Sequence, residues 1–389
     1  MLLAVGAPLA AADVATVRRA ARDTPVLERD LVLSLIDVRR GDLESAQGRL
    51  DGLLEGQPDF RLAHLIQGDL WMARANGLTT FGEGAAPDER VDQLLHEARA
   101  RWVRYLRRPP PPRATPRSLL RVPSSVPSVI AIDSLANRLY LLENRNGRLV
   151  KTLDFYVSIG KGGTDKRVEG DERTPVGLYL VSEYLDGKTL PDLYGVGALP
   201  ISYPNAWDKS LGRTGSGIWI HGTESTTYSR PPRSSRGCVT LSNEDFSLLR
   251  AAVKVQETPV LVTNGFDWVA PQRLAPRAQR IEERLEKWRR AWESRDTARY
   301  LSFYSDDFRS QGMSRSAFAA HKKRVNAGKK YIRVRLEDVG IYGYPGEDDV
   351  VVVDFEQHYE SDSFRSTRRK HQYWRFQQGD WQIVLEESV

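Results

Sequence analysis

Residues 217–241 read GIWIHGTESTTYSRPPRSSRGCVTL, and this stretch decides both the local fold and the chemistry. The β-branched and aromatic run before His221 predicts a strand that ends at Gly222, and residues 238–241 predict a second, short strand. Two such strands that are neighbours in one sheet bring the side chains of His221 and Cys238 within hydrogen-bond reach. We therefore expect a sheet on which a cysteine and a histidine meet.

Cys238 is the only cysteine of the 389-residue chain and follows His221 by 17 positions. The thiolate is the reactive form of cysteine, so a catalytic cysteine needs a proton acceptor or a cation beside its thiol. His221 can serve as either. A lone cysteine is also commonly a small buried hydrophobic residue and a lone histidine a structural one, so the spacing alone leaves both interpretations open.

Four motifs together resemble the signature of the YkuD-type L,D-transpeptidases. They are His-Gly-Thr at 221–223, Ser-Arg-Gly-Cys-Val at 235–239, Ser-Ile-Gly-Lys-Gly at 158–162 and Arg-Thr-Pro-Val-Gly-Leu-Tyr at 173–179. The chain departs from many members of that family at Arg236, where they have a second histidine, and at Thr240, where they have asparagine or arginine. The catalytic histidine of the family corresponds to His221, so the pair with Cys238 is kept.

The resemblance implies a role for each residue around the thiol. His221 activates Cys238, and the carbonyl of Gly222 orients the imidazole. The backbone N–H groups of Gly237 and Cys238 are the expected oxyanion hole, because Gly237 lets the chain approach the substrate closely. The candidate contacts to a stem peptide are Ser235, Arg236, Tyr228, Arg230 and Tyr203.

The reaction that the resemblance implies begins with attack of the thiol on the third-position L-centre of a peptidoglycan stem, which releases D-alanine and leaves a thioester. The amine of a second stem completes an L,D-transpeptidation, whereas water completes an L,D-carboxypeptidation. Residues 228–232 and 199–205 resemble the cell-shape-determining L,D-carboxypeptidase subgroup, which has an additional domain at each end. A third function stays open, that of a non-catalytic wall-binding scaffold.

Composition changes along the chain predict a multidomain α+β protein. Helix-forming residues at 13–107 predict a tetratricopeptide-like helical module, which either forms a homodimer or docks to a protein partner, or else is a cap on the catalytic domain. Prolines predict a semi-extended linker at 108–127. Short strand patterns predict a mostly-β YkuD-like domain at 128–268. A charged helix followed by long strands at 275–389 is similar to the cone of nuclear transport factor 2-like domains.

The remaining sequence features concern location and partners. Residues 1–12 are small and apolar and predict the end of a truncated signal segment, hence an exported, periplasmic or cell-envelope protein. A formal net charge of +6 without a nucleic-acid-binding motif fits wall carboxylates better than nucleic acid. His321, His358 and His371 lack recognised metal-ligand spacing, so we expect neither a metal site nor a cofactor.

Overall fold

The computed structural model describes residues 26–76, 88–106, 110–111, 113–310 and 312–388. The predicted signal segment, residues 1–12, lies outside these ranges. Among the described helices none is long and apolar enough to cross a membrane.

The helices are α1 (Val26–Arg39), α2 (Leu43–Gly56), α3 (Arg61–Asn76), α4 (Glu89–Leu106), α5 (Ala206–Ser210), α6 (Asn243–Ala252), α7 (Ala275–Glu293), α8 (Thr297–Leu301) and α9 (Arg315–Ala327). The strands up to the nucleophile are β1 (Thr115–Pro116), β2 (Leu119–Arg121), β3 (Ser128–Asp133), β4 (Arg138–Arg145), β5 (Arg148–Tyr156), β6 (Ile159–Gly160), β7 (Gly177–Leu180), β8 (Leu185–Asp186), β9 (Gly197–Pro200), β10 (Trp219–His221), β11 (Arg233–Ser235) and β12 (Val239–Thr240). The later strands are β13 (Pro259–Thr263), β14 (Trp268–Val269), β15 (Tyr304–Ser310), β16 (Met313–Ser314), β17 (Ile332–Gly343), β18 (Val350–Ser361), β19 (Arg365–Gln377) and β20 (Asp380–Ser388).

Helices α1–α4 form the amino-terminal module around one apolar core. This core includes Leu31, Leu35, Leu50, Leu62, Ile66 and Phe60, each at most 3% exposed. The first turn of α2 is capped by Asp42, whose side chain accepts a hydrogen bond from the backbone N–H of Ser45. One member of the core, Tyr228, comes from the catalytic domain. The helical module is therefore packed onto that domain.

The central domain is mostly β, as predicted, and contains two sheets that share a core. The larger has the order β5-β4-β3-β13-β7, with β3 and β13 parallel and the other neighbours antiparallel. The smaller has the order β12-β10-β9-β8. Ile130 and Val260 from the larger sheet meet Ile220 and Val239 from the smaller one in the same cluster of buried residues. The strand that carries His221 is therefore anchored in this core through Ile220.

The carboxy-terminal domain is a curved sheet of order β16-β15-β20-β19-β18-β17-β2 with α7, α8 and α9 against its inner face. The apolar side of α7 supplies Ile281, Leu285, Trp288 and Trp292 to this core. Trp288 and Trp292 are 0% and 6% exposed, so both tryptophans are core residues. The outer face of the sheet packs on the larger catalytic sheet, where Tyr342 and Tyr373 share a cluster with Tyr140.

The proline-rich stretch at 108–127 differs from the predicted linker. Its strand β1 pairs with β14, and β2 pairs with β17 at the edge of the carboxy-terminal sheet. Leu119 and Val126 are buried in the cluster between the two domains. Proline lacks its own N–H but leaves the donors of the residues between prolines intact, so short strands can form there. The stretch is therefore a seam that joins two domains.

Candidate active site

His221 and Cys238 lie on neighbouring strands of the smaller catalytic sheet. Strands β10 and β12 are parallel, with Ile220 opposite Val239 and His221 opposite Thr240. Side chains alternate between the faces of a strand, so the core takes Ile220 and Val239 while His221, Thr240 and Cys238 share the other face. The two strands thus place the imidazole and the thiol on one face of the sheet, diagonally across neighbouring strands.

The imidazole of His221 is held in one tautomer. Its Nδ1 donates a hydrogen bond to the carbonyl oxygen of Gly222 at 2.7 Å, because a carbonyl can only accept, and this leaves the lone pair on Nε2. The side chain is 2% exposed. Burial lowers the pKa of His221 to about 4, opposed by the bond to Gly222 and assisted by the positive charge of Arg230. The imidazole is therefore neutral near pH 7 and available as a proton acceptor.

The thiol of Cys238 is half-buried and protonated at rest. Its Sγ donates to the carbonyl oxygen of Gly217 at 3.5 Å. Burial raises the pKa of the Cys238 thiol above its usual value, although the backbone N–H of Trp219 and the charges of Arg230 and Lys166 act in the opposite direction. Of the two roles that the sequence left to His221, the structure thus favours proton acceptor over cation.

The turn that carries the nucleophile requires glycine at position 237. Gly237 has φ +119°, and a Cβ atom there would lie 2.7 Å from the carbonyl oxygen of Arg173. Its N–H donates to Oγ of Ser235 at 3.1 Å, and the same hydroxyl donates to the carbonyl oxygen of Cys238 at 2.6 Å. Ser235 thus shapes the turn and is 4% exposed, which does not fit the predicted contact to substrate.

These bonds also correct the predicted oxyanion hole. The N–H of Gly237 is taken by Ser235, so it does not point to a substrate oxygen. The N–H of Cys238 stays a predicted donor.

Asn243 holds the backbone that follows His221, and the sequence analysis missed it. Its Oδ1 accepts from the N–H groups of Val196 and Thr223 at 3.1 and 3.2 Å, and its Nδ2 donates to the carbonyl of Thr223 at 2.9 Å. A Cβ atom on Gly222 would lie 2.2 Å from that Oδ1. Asn243 therefore fixes the carbonyl that orients the imidazole. Its position at the start of a helix gave no signal, because asparagine is common there.

Two aromatic rings beside the pair were also missed. Tyr194 lies edge-on to the imidazole of His221, with 5.0 Å between ring centroids, and 4.7 Å from the ring of Trp219. Trp219 is two residues before His221 on the same strand, so period-two alternation places it on the same face. Both aromatic residues are half-buried and form an apolar wall beside the imidazole of His221.

Arg230 is bound within the protein. Its Nε and Nη2 donate to Oε2 of Glu224 at 2.8 and 2.6 Å, and Nη2 also donates to the carbonyl of Leu193 at 2.9 Å. Its charge lowers the pKa of both His221 and Cys238. Arg230 thus acts on the catalytic pair electrostatically. Arg236 is exposed at the turn, and its contact with substrate stays a prediction.

The two tyrosines predicted to contact a stem peptide are core residues, so those predictions are wrong. Tyr203 is 5% exposed and donates through its hydroxyl to the carbonyl of Thr214. Tyr228 is 5% exposed and packs on Phe60 of the helical module, with ring centroids 4.4 Å apart. From the sequence, an aromatic residue in a loop can either contact substrate or pack in the core. The sequence does not distinguish the two, because the packing partner of Tyr228, Phe60, is distant along the chain.

The loop between His221 and the nucleophile is fastened to the helical module at a second point. Oγ of Ser229 donates to Oε1 of Glu97 at 2.7 Å, and Arg101 donates to the same carboxylate oxygen at 2.9 Å. Glu97 and Arg101 are buried, and both lie on α4. We call residues 222–232 the anchored loop, because Tyr228 and Ser229 tie it to the helices.

Buried ion pairs continue from this point across the junction of the helical and catalytic domains. Arg138 of β4 is fully buried, and it donates to Glu28 of α1 at 2.6 Å and to Asp154 of β5 at 2.7 Å. Arg104 of α4 also pairs with Asp154. Although burial opposes its charge, the two guanidinium groups hold the pKa of Asp154 well below its usual range. Such pairs contribute orientation, since breaking one leaves a buried charge.

Among the described residues, one group outside this site has the donor types of a metal site. Nε2 of His358 lies 2.9 Å from carboxylate oxygens of both Glu337 and Glu356. The cross-strand pairing of Glu337 with Glu356 creates the group, which sequence spacing does not reveal. All three side chains are partly exposed. They lie on β17 and β18 of the carboxy-terminal domain, whereas His221 and Cys238 belong to the catalytic domain.

Comparison with known proteins agrees with this geometry. Residues 127–262 match the L,D-transpeptidase catalytic domain, YkuD, and residues 280–387 match the Cds6 C-terminal NTF2-like domain. The solved structure of Bd1075 from Bdellovibrio bacteriovorus is 32% identical, with a TM-score of 0.62, covering 71% of this chain and 98% of that one. The chain therefore belongs to the YkuD L,D-transpeptidase family, in the group with a C-terminal NTF2-like domain.

Two further structures share the fold. They are those of the helical cell shape determining protein Pgp2 from Campylobacter jejuni and of a point mutant of Pgp2, each 24% identical. Their TM-scores are 0.57 and 0.58, and each match covers 75% of this chain and 98–99% of the other. A search of curated proteins gives no match.

Proposed function

We propose that this protein is a peptidoglycan L,D-transpeptidase that acts through a thioester on Cys238. The observation that carries the proposal is the placement of Cys238 on the same sheet face as a neutral His221 whose Nε2 is free to accept a proton. The catalytic-domain match supports the same reaction class. The substrate is a tetrapeptide stem whose fourth residue is D-alanine.

The chemistry follows from the protonation states at the site. Substrate binding places the carbonyl carbon of the third residue against Sγ of Cys238, and Nε2 of His221 takes the thiol proton as the S–C bond forms. The tetrahedral oxyanion is stabilised by the N–H of Cys238. When the C–N bond breaks, the imidazolium returns the proton to the leaving amine of D-alanine. The product at this stage is a thioester and a neutral imidazole.

The second half of the reaction depends on the acceptor. His221 removes a proton from an incoming amine or from water, the nucleophile attacks the thioester, and the thiol leaves with the proton. An amine acceptor gives a cross-link between third-position residues. Water gives a tripeptide, and we keep this L,D-carboxypeptidase reaction as a second candidate because the three-domain layout is shared with a cell shape determining protein.

The cellular role follows from the substrate. Peptidoglycan lies outside the cytoplasm, so the proposal includes export to the periplasm or cell envelope and a role in wall remodelling and cell shape. Tagged protein in the soluble cytoplasmic fraction of its host, with none in the envelope fraction, would contradict this part. A protein partner of the helical module also stays a prediction, and the exposed Trp71 and Met72 of α3 are the residues we would mutate to test it.

The decisive test is mass spectrometry of disaccharide-tetrapeptide after incubation with the wild-type protein and with Cys238→Ala. Dimers linked between third-position residues establish the transpeptidase, whereas tripeptide monomers alone establish the carboxypeptidase. No change with the wild-type protein overturns both. Stoichiometric acylation of Cys238 by a carbapenem then separates an active site that lacks its proper substrate from a non-catalytic scaffold.

A further inference from the structure

One histidine and two glutamates meet on the outer face of the carboxy-terminal sheet. Strands β17 and β18 pair in an antiparallel register that sets Glu337 opposite Glu356. His358 lies two residues beyond Glu356 on β18, so both side chains point away from the inner core that holds Phe355. Nε2 of His358 lies 2.9 Å from Oε2 of Glu337 and 2.9 Å from Oε1 of Glu356. The sheet therefore holds one nitrogen and two oxygen donors around a common point.

The spacing of these three atoms fits a metal ion. Zn–N and Zn–O bonds of about 2.1 Å, meeting at angles between about 90° and about 109°, separate neighbouring donor atoms by about 3.0–3.4 Å. The observed contacts are close to the lower value, so small rotations of the two carboxylates suffice to admit an ion. The side chain of His358 is 25% exposed and those of Glu337 and Glu356 are 43% and 40% exposed. An ion therefore has access from solvent and room for water ligands.

Two of the three side chains have partners that orient them. Nδ1 of His358 lies 3.0 Å from the hydroxyl oxygen of Thr367, and the guanidinium group of Arg335 donates to Oε1 of Glu337. Metal-binding imidazoles and carboxylates commonly have such partners on the atoms that do not bind the ion. When the Thr367 hydroxyl accepts from Nδ1–H, the lone pair of Nε2 faces the two carboxylates. The arrangement therefore leaves the donor atoms directed to the common point.

The charges around the group favour a cation. Carboxylates directly opposite one another on antiparallel strands repel. Arg369, the neighbour of Glu356 on β19, donates instead to both carboxylate oxygens of Asp354. Among the described residues, only His358 forms an ion pair with Glu356, and only Arg335 adds a second cation to the pair of glutamates. With a neutral imidazole the group keeps an excess negative charge, which a divalent ion neutralises.

We propose that Glu337, Glu356 and His358 bind a divalent transition-metal ion, with water at its remaining positions. Zn²⁺ matches the donor set, because it takes imidazole and carboxylate ligands and commonly has three protein ligands with an open position. The ion ties β17 to β18 and is independent of the proposed reaction. The proposal revises the expectation that His358 lacks metal-ligand partners, because those partners come from the pairing of strands and not from spacing along the chain.

Calorimetric titration of metal-free, full-length protein tests the proposal. The protein has the substitution Cys238→Ala throughout, so the thiol cannot bind the ion. We expect one equivalent of Zn²⁺ to bind at least tenfold more tightly than Ca²⁺ or Mg²⁺, which prefer all-oxygen sites. The competing state is an imidazolium ion paired with both carboxylates, which needs no metal. Absence of saturable Zn²⁺ binding would establish that state, and equal affinity for Ca²⁺ would reduce the group to a general acidic surface. Either result would overturn the proposal.

Variants in the same Cys238→Ala background locate the ion. His358→Gln and Glu356→Gln should each lower the affinity for Zn²⁺ at least tenfold. The matched controls are His321→Gln, at an exposed histidine of α9, and Glu360→Gln, at a carboxylate two residues beyond His358 on the same face of β18. Both controls should bind like the background protein, with folding checked by circular dichroism. Undiminished binding in His358→Gln, or equal losses in Glu356→Gln and Glu360→Gln, would show that these three residues do not form the site.

Discussion

In the proposed reaction, His221 enters as a neutral base because it is buried. In the ordinary case a histidine titrates near pH 6.5 and is partly protonated in mildly acidic conditions. Here burial disfavours the imidazolium more than the carbonyl of Gly222 favours it, so the lone pair on Nε2 is kept well into the acidic range. In the proposed reaction, proton transfer from Cys238 then accompanies the attack and does not precede it.

The first prediction is an acidic limit of activity near pH 4. Because the pKa of His221 is lowered to about 4, kcat/KM for a tetrapeptide should stay level from pH 7 to about 5.5 and fall as the pH drops through 4. Stopped assays over this range, with folding checked by circular dichroism at each pH, measure the profile. An acidic limb centred at 6.5 would show that the imidazole is not desolvated in the working enzyme.

The second prediction concerns Gly237. In Gly237→Ala the new Cβ meets both a φ of +119° and the backbone oxygen of Arg173 at 2.7 Å, so the nucleophile turn must move. We expect carbapenem acylation of Cys238 to slow by about 100-fold, the effect expected when a reacting atom is misplaced by about 1 Å.

Gly265→Ala is the matched control. Gly265 has nearly the same φ, +112°, but its Cβ would meet only a side-chain atom of Leu135 at 3.7 Å. The strain of the backbone is therefore shared by the two variants, and acylation should be nearly unchanged in the control. Equal slowing in both would mean that left-handed strain alone, and not the contact with Arg173, explains the loss.

At the scale of elements, we expect the anchored loop to couple the helical module to the proposed reaction. Tyr228 inserts into the helical core and Ser229 bonds to Glu97, while Arg230 of the same loop sets charge beside the catalytic pair. Removing a partner of the loop on the helical side should therefore change activity without touching the catalytic domain. We therefore predict a positioning role for the module, independent of any docking function.

Phe60→Ala tests this role. Loss of the ring against Tyr228 should destabilise the module by about 3 kcal/mol, as for a buried phenylalanine, and lower kcat/KM for the tetrapeptide about tenfold. Leu50→Ala, a fully buried residue of the same core, should give similar destabilisation with activity close to wild type. Thermal denaturation and kinetics on both variants measure the two effects. Parallel loss of activity in both would reduce the role of Phe60 to general stability.

The strands that carry His221 and Cys238 could be predicted from local pattern, and the contacts around these two residues could not. Residues 217–223 contain a β-branched and aromatic run that ends at a histidine. This pattern predicts a strand with His221 at its end, and the structure has β10 there. Asn243, Tyr194 and Phe60 reach the site only through the tertiary fold, and no periodicity in the sequence links them to it. The same limit explains why the sequence predicts a substrate contact for Tyr228, whose ring packs on Phe60 of the helical module.

At the scale of the whole molecule, the domains form one continuous structure. The order of helices, β domain and cone was predictable from composition, whereas the seam formed by β1 and β2 was not, because prolines there suggested a spacer. Buried pairs join the helical module to the catalytic domain, and an aromatic cluster joins that domain to the cone. The catalytic sheet is therefore held between two partners, and its stability should depend on both contacts.

The contact with the cone should depend on pH through His371. His371, Asp354 and Glu387 line a cavity of about 270 Å³ against residues 178–180 of the catalytic domain, with Lys209 and Tyr373 also facing it. Burial opposes the charge on the imidazole, but hydrogen bonds and attraction from Asp354 and Glu387 outweigh it and raise the pKa of His371 to about 9. A raised pKa contributes stability that is complete below pH 6.5 and is lost as the pH rises through 9.

We expect Tm to fall by a few degrees between pH 6.5 and 9.5, and His371→Gln to remove most of this slope. His321→Gln, at an exposed histidine on α9, should retain the wild-type slope. Differential scanning calorimetry decides the matter, since identical slopes in wild type and His371→Gln would assign the pH dependence to other groups and leave the interface held by apolar packing alone.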